Sequence, residues 1–287
     1  MKESYIDLHM HSTMSDGTFA PQELVQEVVR KGLSAIALTD HDSVQGVRAA
    51  QQAAEGTGLE VVSGVELSAY NGQEMHILGY FIEPEHQALK QFLARMHESR
   101  VERVHAMVRK LSGNGFSISW EEVCQQAQHM VSRVHIAKCL VQKGYATSIG
   151  EAFDRFIGEG KPYFVQRRKT KPQEAIQAIH DAGGLAVLAH PYFLHRDETL
   201  EELLQELPEL DGLECHYPRH TQEQFEAYQR LAQQFGLLVT GGSDFHGANR
   251  PDAEIGKGCC GREIPYEYLE HMKNRQKDNG TQNLCIQ

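Results

Sequence analysis

Short apolar stretches alternate with amphipathic segments over the first eighty residues and again over the last hundred. The stretches are four to six residues long and rich in Val, Ile and Leu, which is typical of buried strands. The segment Pro21–Lys31 has the apolar spacing of a helix, and Gly32 is placed to end it. The pattern predicts seven strands, at residues 5–8, 35–39, 61–65, 76–81, 185–189, 212–215 and 237–240. It predicts helices between them, at 21–31, about 43–55, 172–182, 198–206 and 221–235.

The middle of the chain has a different pattern. Apolar residues recur at helical spacing from Leu89 to Leu111, and Ser119 with Glu122 has the spacing of a capping box that opens a further helix. We therefore predict a helical insert, which acts as a substrate cap, at residues 97–165. The surrounding domain takes residues 1–96 and 166–277, and residues 278–287 form a loose tail.

Strands that mostly alternate with helices favour an α/β fold with a parallel, barrel-like sheet over an open doubly wound sheet. In such barrels the carboxyl ends of the strands build the active site, whereas the opposite rim serves stability. The residues that follow each predicted strand are therefore the first candidates for chemistry.

Composition narrows the choice of partner. The 287 residues include 28 Lys and Arg against 39 Asp and Glu. The net charge of −11 argues against an extended basic surface that binds duplex DNA or anionic lipid. No apolar run reaches the ~20 residues of a membrane span, and the N-terminus lacks a signal-peptide core. Six scattered cysteines indicate reduced thiols, so we expect a cytoplasmic protein. The oligomeric state stays open.

Imidazoles and carboxylates cluster at the predicted strand ends, in a chain with 16 histidines and one Trp. His9 and His11 alternate along an extended segment, so both rings point to one side. A single buried histidine is usually a hydrogen-bonded core residue, and an aspartate at a strand end often caps a helix. The joint occurrence favours a divalent metal site, because imidazole and carboxylate are ligands of Mn, Fe and Zn. The candidate ligands are His9, His11, Asp16, His41, Glu66, His76, His190, Asp244 and His246.

This series resembles the PHP (polymerase and histidinol phosphatase) phosphoesterases from Asp7 to about Gly256. It is most similar to the bacterial subgroup that has a helical insert and includes 3′,5′-nucleotide bisphosphate phosphatase and the 5′–3′ exoribonuclease called RNase AM. The segments that carry the resemblance are Thr-Asp-His-Asp, Gly-Val-Glu-Leu-Ser, His-Ile-Leu-Gly-Tyr and Gly-Gly-Ser-Asp-Phe-His-Gly.

The resemblance implies a distorted (β/α)7 barrel that binds three divalent ions, with Mn²⁺ favoured and Fe²⁺ or Zn²⁺ as alternatives. His9, His11, Glu66 and Asp244 would bind the first ion. Glu66 would bridge to a second ion bound by His76 and His190, and Asp16, His41 and His246 would bind a third. Asp7 and Asp40 would orient imidazoles from the second coordination sphere.

The resemblance also directs attention to basic residues of the insert. Arg133 opens a predicted helix, where free backbone N–H groups suit an anion, and Lys161 follows the next helix. Each basic residue alone is more often a solvated surface charge. The full set of predicted substrate contacts is Asp42, Arg100, Arg103, Arg133 and Lys161, with His195 as a phosphate contact or proton donor; Asp42 has the alternative role of a helix cap.

The predicted activity is metal-dependent hydrolysis of a phosphate monoester by in-line attack of a metal-bridging hydroxide. Two separate cationic anchors suggest a substrate with two phosphates. A 3′,5′-bisphosphonucleoside such as pAp, converted to AMP and phosphate, fits this requirement, as does the 5′ end of a short RNA. The alternatives are a histidinol-phosphate phosphatase and a non-catalytic metal-bound module.

Overall fold

Eight strands form a nearly closed barrel surrounded by helices in the computed structural model, which describes residues 4–127, 131–166, 170–194 and 200–284. This confirms the predicted α/β barrel. The strands are β1 (Tyr5–Met10), β2 (Ala35–Leu38), β3 (Glu60–Asn71), β4 (Gln73–Tyr80), β5 (Leu185–Leu188), β6 (Gly212–His216), β7 (Leu238–Gly241) and the short β8 (Ile264–Pro265).

The order of the sheet is β7-β6-β5-β4-β3-β2-β1-β8, and the chain beyond β7 closes it against β1. His11 N donates to Phe245 O at 2.9 Å, and Asp244 N donates to His9 O at 2.8 Å. The sequence predicted seven strands; the eighth is a two-residue strand that pairs antiparallel to β1. β4 runs antiparallel to both β3 and β5, which distorts the barrel from the fully parallel pattern.

The helices follow the predicted order. They are α1 (Pro21–Lys31), α2 (Val47–Ala54), α3 (Gln87–Ser112), α4 (Trp120–Gln126), α5 (Arg133–Gln142), α6 (Ile149–Ala152), α7 (Pro172–Asp181), α8 (Leu200–Glu206), α9 (Gln222–Phe235) and α10 (Glu267–Leu284). Gly32 ends α1 with a left-handed φ of 77°, as predicted. Across the described ranges, no helix is both long enough and apolar enough to cross a bilayer.

The C-terminal helix differs from prediction. Residues 278–284 were expected to be loose, yet α10 continues through them to Leu284. The buried side chains of Leu269 and Met272 anchor the first turns of this helix on the barrel core. Once a helix is nucleated, each added residue gains a backbone hydrogen bond at little further cost, so a polar segment without proline can continue it.

The long helix α3 belongs to two hydrophobic clusters. Leu89 and Phe92 in its first half pack on the cluster between the sheet and α7. Val104 and Leu111 in its second half pack with α4, α5 and α6 in a separate cluster. The predicted boundary between residues 96 and 97 therefore falls inside one continuous helix. The division of the chain into barrel and cap stays a prediction.

Candidate metal centre

The nine predicted ligands come from six strands or their adjoining loops and meet at one rim of the barrel. β4 contributes His76, the fourth of its eight residues, because β4 is antiparallel and its first half therefore lies at and above the rim where the parallel strands end. Glu66 differs from prediction, since it lies in the middle of β3 and not at its end. The strand continues to Asn71 because it forms a hairpin with β4 that rises above the barrel.

An irregularity in β1 sets the direction of the first two histidines. Leu8 packs in the barrel interior, whereas Met10 packs outside the barrel against α1 and α2. Regular alternation would put both side chains on one face, but the pairing register with β2 shifts between Asp7 and Met10. This kind of irregularity redirects side chains, and here it places His9 and His11 at the buried centre.

Glu66 lies at the middle of the cluster and is fully buried. Its Oε2 atom is 3.4 Å from His9 Nε2, 3.2 Å from His11 Nε2 and 3.0 Å from His41 Nδ1. Its Oε1 atom is 2.8 Å from His76 Nδ1 and 2.9 Å from His190 Nε2. Both carboxylate oxygens thus face imidazole nitrogens, which is the arrangement needed for a bridging ligand.

Two aspartates complete the ring of acceptors. Asp244 Oδ1 is 3.5 Å from His9 Nε2, 3.3 Å from His11 Nε2 and 3.4 Å from His246 Nδ1. Asp16 Oδ1 is 3.3 Å from His246 Nε2, and Asp16 Oδ2 is 4.0 Å from His41 Nε2. Ligand atoms of His11, Asp16, His41 and His246 therefore lie within 4.8 Å of one another.

Several buried polar atoms of this cluster lack hydrogen-bond partners among the described residues. They are His9 Nε2, His11 Nδ1 and Nε2, Asp16 Oδ1, His41 Nδ1 and Glu66 Oε2. Such groups are costly to bury unpaired, and a cation among them would satisfy several at once. Burial alone would raise the pKa of Glu66, yet the neighbouring His41, His76 and His9 rings hold this pKa well below its usual range. The donor set fits divalent transition metals.

The carboxylate that orients His9 is Glu214 of β6, a residue that the sequence analysis missed. Glu214 Oε1 is 2.9 Å from His9 Nδ1, and Glu214 Oε2 accepts from the backbone N–H of His190 at 2.7 Å. Bonding at Nδ1 leaves Nε2 of His9 free for a metal. The available signal was weak: one glutamate inside an otherwise apolar strand, at residues 212–215.

Asp7 does not have its predicted role. Its carboxylate accepts from the backbone N–H groups of His9, Ser243 and Gly256 and from the Ser243 hydroxyl, at 2.6–3.2 Å, so it ties β1 to the chain beyond β7. These donors already satisfy the carboxylate, which explains why it does not reach an imidazole.

Asp40 likewise departs from its predicted role. It accepts from the backbone N–H and hydroxyl of Ser12, both at 2.7 Å, and from the hydroxyl of Ser15 at 2.6 Å. The loop that bears these serines also bears Asp16. Asp40 therefore positions a candidate ligand through the loop and not by contact with a ring.

Tyr217 and Arg250, also unpredicted, hold the outer oxygen of Asp244. The hydroxyl of Tyr217 donates to Asp244 Oδ2 at 2.9 Å, and Arg250 forms an ion pair with the same oxygen. Arg250 Nη2 also donates to the Tyr217 hydroxyl at 2.8 Å. These contacts leave Asp244 Oδ1 directed at the histidines.

The backbone is strained where β5 and β7 lead into the site. His190 and Asp244 have φ angles of 25° and 52°, values that residues other than glycine rarely adopt. Such strain persists where the surrounding structure fixes the conformation, and it is frequent at functional sites. Gly242 permits this path because a Cβ at that position would lie 2.2 Å from His9 Cβ.

Gly242→Ala is therefore expected to displace His9 and reduce bound metal, at an overpacking cost of about 1–3 kcal/mol. Metal analysis and thermal unfolding of the purified variant would measure both effects. Gly150→Ala is a suitable control, because its added methyl group would meet only Ser148 Oγ, at 3.8 Å. Wild-type metal content in Gly242→Ala would contradict the role of this close contact.

A cavity of about 190 Å³ joins the ligand cluster to the helical segment. Candidate ligands, including His41 and His76, line one side, and three arginines line the other. We call Arg100, Arg103 and Arg133 the arginine subsite. A larger cavity of about 840 Å³ adjoins it and includes Phe153, Phe193 and Arg219, so the space suits a ligand of nucleotide size.

The remaining predicted contacts have varied positions. Asp42 is buried and accepts hydrogen bonds from the backbone N–H and hydroxyl of Ser68 and from Arg100. It does not cap α2, which begins at Val47, and it does not line the smaller cavity. Lys161 lies in an exposed turn and lines neither cavity. His195 lies outside the described residues, so its role as proton donor stays a prediction.

Comparison with known proteins assigns the family. The PHP domain profile matches residues 7–236. The chain is 34% identical over 244 residues to a 5′-3′ exoribonuclease of Haemophilus influenzae, which covers 84% of this chain and 89% of that protein. It is 32% identical over 257 residues to a 3′,5′-nucleoside bisphosphate phosphatase of Chromobacterium violaceum, with coverage of 88% and 90%.

A solved structure gives the same result. The fold superposes on a metal-dependent phosphoesterase from Bifidobacterium adolescentis with a TM-score of 0.86 and 30% identity, over 95% of this chain and 96% of that one. The predicted resemblance is thus confirmed in both sequence and fold, and the buried His, Asp and Glu clusters are able to bind metal. The chain belongs to the PHP domain family of metal-dependent phosphoesterases.

Proposed function

We propose that this protein removes the 3′-phosphate of 3′,5′-bisphosphonucleosides, converting pAp to AMP and phosphate, and that it also acts on short 5′-phosphorylated RNA as a 5′–3′ exoribonuclease. One observation carries the proposal: a single cavity has candidate metal ligands on one side and the arginine subsite on the other. A substrate with two phosphates can engage both sides. The names of the H. influenzae and C. violaceum relatives support these two substrate classes.

The proposed centre binds three divalent ions, with Mn²⁺ as the first candidate. His9, His11, Glu66 and Asp244 would hold one ion, and Glu66 would share a second with His76 and His190. Asp16, His41 and His246 would hold the third. The interatomic distances support this grouping, because the last three ligands cluster with His11 and both oxygens of Glu66 face separate sets of histidines.

Bound divalent ions would supply a water of lowered pKa and positive charge at the phosphoryl oxygens. The protein's own side chains hold the candidate metal ligands in position. Glu214 fixes the tautomer of His9, while Tyr217 and Arg250 fix Asp244. Side chains that are already in position need little reorganisation as charge develops on the phosphoryl group. Such electrostatic preorganisation is usually the largest contribution to rate enhancement.

The arginine subsite would hold the second phosphate. Arg133 is partly exposed to the cavity, and its guanidinium lies 5.4 Å above the Phe153 ring and 5.8 Å above the Phe164 ring. The two aromatic contacts hold the guanidinium plane in position before substrate arrives. This contact is remote from the reacting phosphate, so it contributes equally to ground-state and transition-state binding.

Arg133→Ala is therefore expected to raise KM for pAp with little loss of kcat. A hydrogen bond to a charged group contributes about 1.5–3 kcal/mol, so kcat/KM should fall on the order of ten- to hundredfold. The loss should be smaller for 3′-AMP, which has no second phosphate. Steady-state kinetics on both substrates measure the difference, with Arg155→Ala, an exposed arginine of the same helical region, as control. An equal loss on both substrates would remove the support for a bisphosphate.

Hydrolysis of three substrates, followed as free phosphate or as released nucleotide, tests the function as a whole. The assay uses pAp, histidinol phosphate and a short 5′-phosphorylated RNA, each with Mn²⁺. Phosphate release from pAp is expected, whereas RNA should give nucleoside 5′-monophosphates and no free phosphate, because an exonuclease hydrolyses phosphodiester bonds. Histidinol phosphate carries one phosphate and a cationic amine, which the three arginines disfavour. Hydrolysis of histidinol phosphate alone, or of no substrate, would overturn the proposal in favour of the corresponding alternative.

A further inference from the structure

Glu74 occupies the arginine subsite. It lies on β4 two residues before His76, so both side chains point to the same face of the strand. Glu74 Oε1 accepts from Arg103 Nη1 at 3.0 Å, and Glu74 Oε2 accepts from Arg133 Nη2 at 2.8 Å. A carboxylate thus lies between two guanidinium groups, in the geometry that a phosphate would also adopt.

The arginines retain unused capacity for an anion. Arg103 is packed over the Phe164 ring at 5.5 Å, and its side chain is only 7% exposed, yet its buried Nε has no hydrogen-bond partner among the described residues. Arg100 Nε is likewise buried without a described partner. Buried guanidinium donors are normally satisfied, so these atoms indicate room for a further acceptor.

The charges of the subsite nearly balance. Three arginines face two carboxylates, Glu74 and the Arg100-bound Asp42, which leaves one net positive charge. Burial and the nearby positive charge of Arg133 lower the pKa of Arg103 to about 10, although Glu74 acts in the opposite direction. Glu74 therefore stabilises three crowded cations when no substrate anion is present.

We infer that Glu74 determines the specificity of this subsite, as a resident counter-ion that competes with the distal phosphate for Arg103 and Arg133. The inference rests on the proposed function. A dianionic phosphate that enters beside Glu74 meets three guanidinium groups whose charge Glu74 and Asp42 already reduce to one net positive charge. Glu74 thus weakens binding of the more highly charged anions and lets the product, which keeps its 5′-phosphate, dissociate.

Glu74→Gln tests the inference, because it removes the charge and keeps the shape. KM for pAp is expected to fall about threefold to tenfold, because the variant loses one partly screened repulsion between a carboxylate and the distal phosphate. KM for 3′-AMP should change less, so the ratio of the two KM values should shift. Glu74→Asp keeps the charge and should not lower KM for pAp. Glu85→Gln, at an exposed surface glutamate, is the matched control and should leave both values unchanged.

An unchanged or higher KM for pAp in Glu74→Gln would contradict the inference. If Glu74 serves only to orient the arginines, Glu74→Gln will leave KM for pAp unchanged or raise it, and the inference is wrong. Thermal unfolding checks that each variant is folded. If Glu74→Gln does not fold, Glu74→Thr replaces it in the test, because threonine also removes the charge and is favoured in β-strands.

A binding measurement separates this inference from the proposed function. Calorimetric titration with 5′-AMP and with adenosine needs no turnover. Tighter binding of 5′-AMP by Glu74→Gln, with a smaller change for adenosine, supports the inference. Equal or weaker binding of 5′-AMP overturns it. Absence of phosphate release from pAp by the wild-type protein would contradict the proposed function alone.

Discussion

Glu66→Ala is expected to lose more than one divalent ion per chain and to reduce phosphatase activity by at least about a thousandfold. Both oxygens of this carboxylate face imidazoles that belong to different proposed ions, so its removal disrupts two coordination spheres. The side chain is also fully buried among the histidines. Metal analysis of the purified variant after exhaustive dialysis, together with phosphate release from pAp, measures the two losses.

The control for this experiment lies on the same strand. Glu60 begins β3 and contacts Tyr266 and Lys273 at the opposite rim of the barrel. Glu60→Ala should therefore keep its metal and its turnover. A wild-type protein that binds only one ion would contradict the trinuclear proposal. A Glu66→Ala variant that loses a single ion from three would show that Glu66 does not bridge.

Glu214→Gln is expected to lower metal affinity about ten- to hundredfold, which is the usual effect of removing a carboxylate behind a ligating histidine. Glu214 accepts two hydrogen bonds, one on each oxygen, from His9 Nδ1 and from the His190 backbone. A glutamine presents one oxygen and one amide nitrogen, so one of the two buried donors faces another donor. The His9 ring should then lose its fixed tautomer.

Titration of the metal-free protein with Mn²⁺ would report the affinity of both forms. Glu209→Gln, at an exposed glutamate in the turn before β6, provides the control for a change of charge alone. Unchanged metal affinity in Glu214→Gln would show that His9 is oriented by packing and not by this carboxylate.

The arginine subsite illustrates a limit of sequence reasoning about charge. The sequence indicated Arg100, Arg103 and Arg133 as candidate anion contacts, and the structure brings all three to one cavity. It did not indicate that Glu74 would pair with two of them, because Glu74 is 29 residues from Arg103 and 59 from Arg133 along the chain. Lys161, chosen by the same reasoning, remains on the surface.

Local pattern was enough to predict the barrel, the boundaries of α1 and the identity of the clustered residues. An apolar run or a glycine that ends a helix is a signal that depends only on residues a few positions away along the chain. Strands that alternate with helices can be connected in only a few ways. The nine candidate ligands were found because each begins such a run or lies at its end or within the eight residues after it. Pairwise proximity did not have to be known, since the barrel architecture brings strand ends together.

Tertiary structure decided the direction and the partners of those residues. The shift of register in β1 places His9 and His11 inward, and the antiparallel course of β4 brings His76, in the middle of that strand, to the rim. Glu214 reaches His9 from 205 residues away. Hydrogen-bond partners in the core are set by how elements pack, because buried donors and acceptors must be satisfied across distances that no local sequence signal encodes.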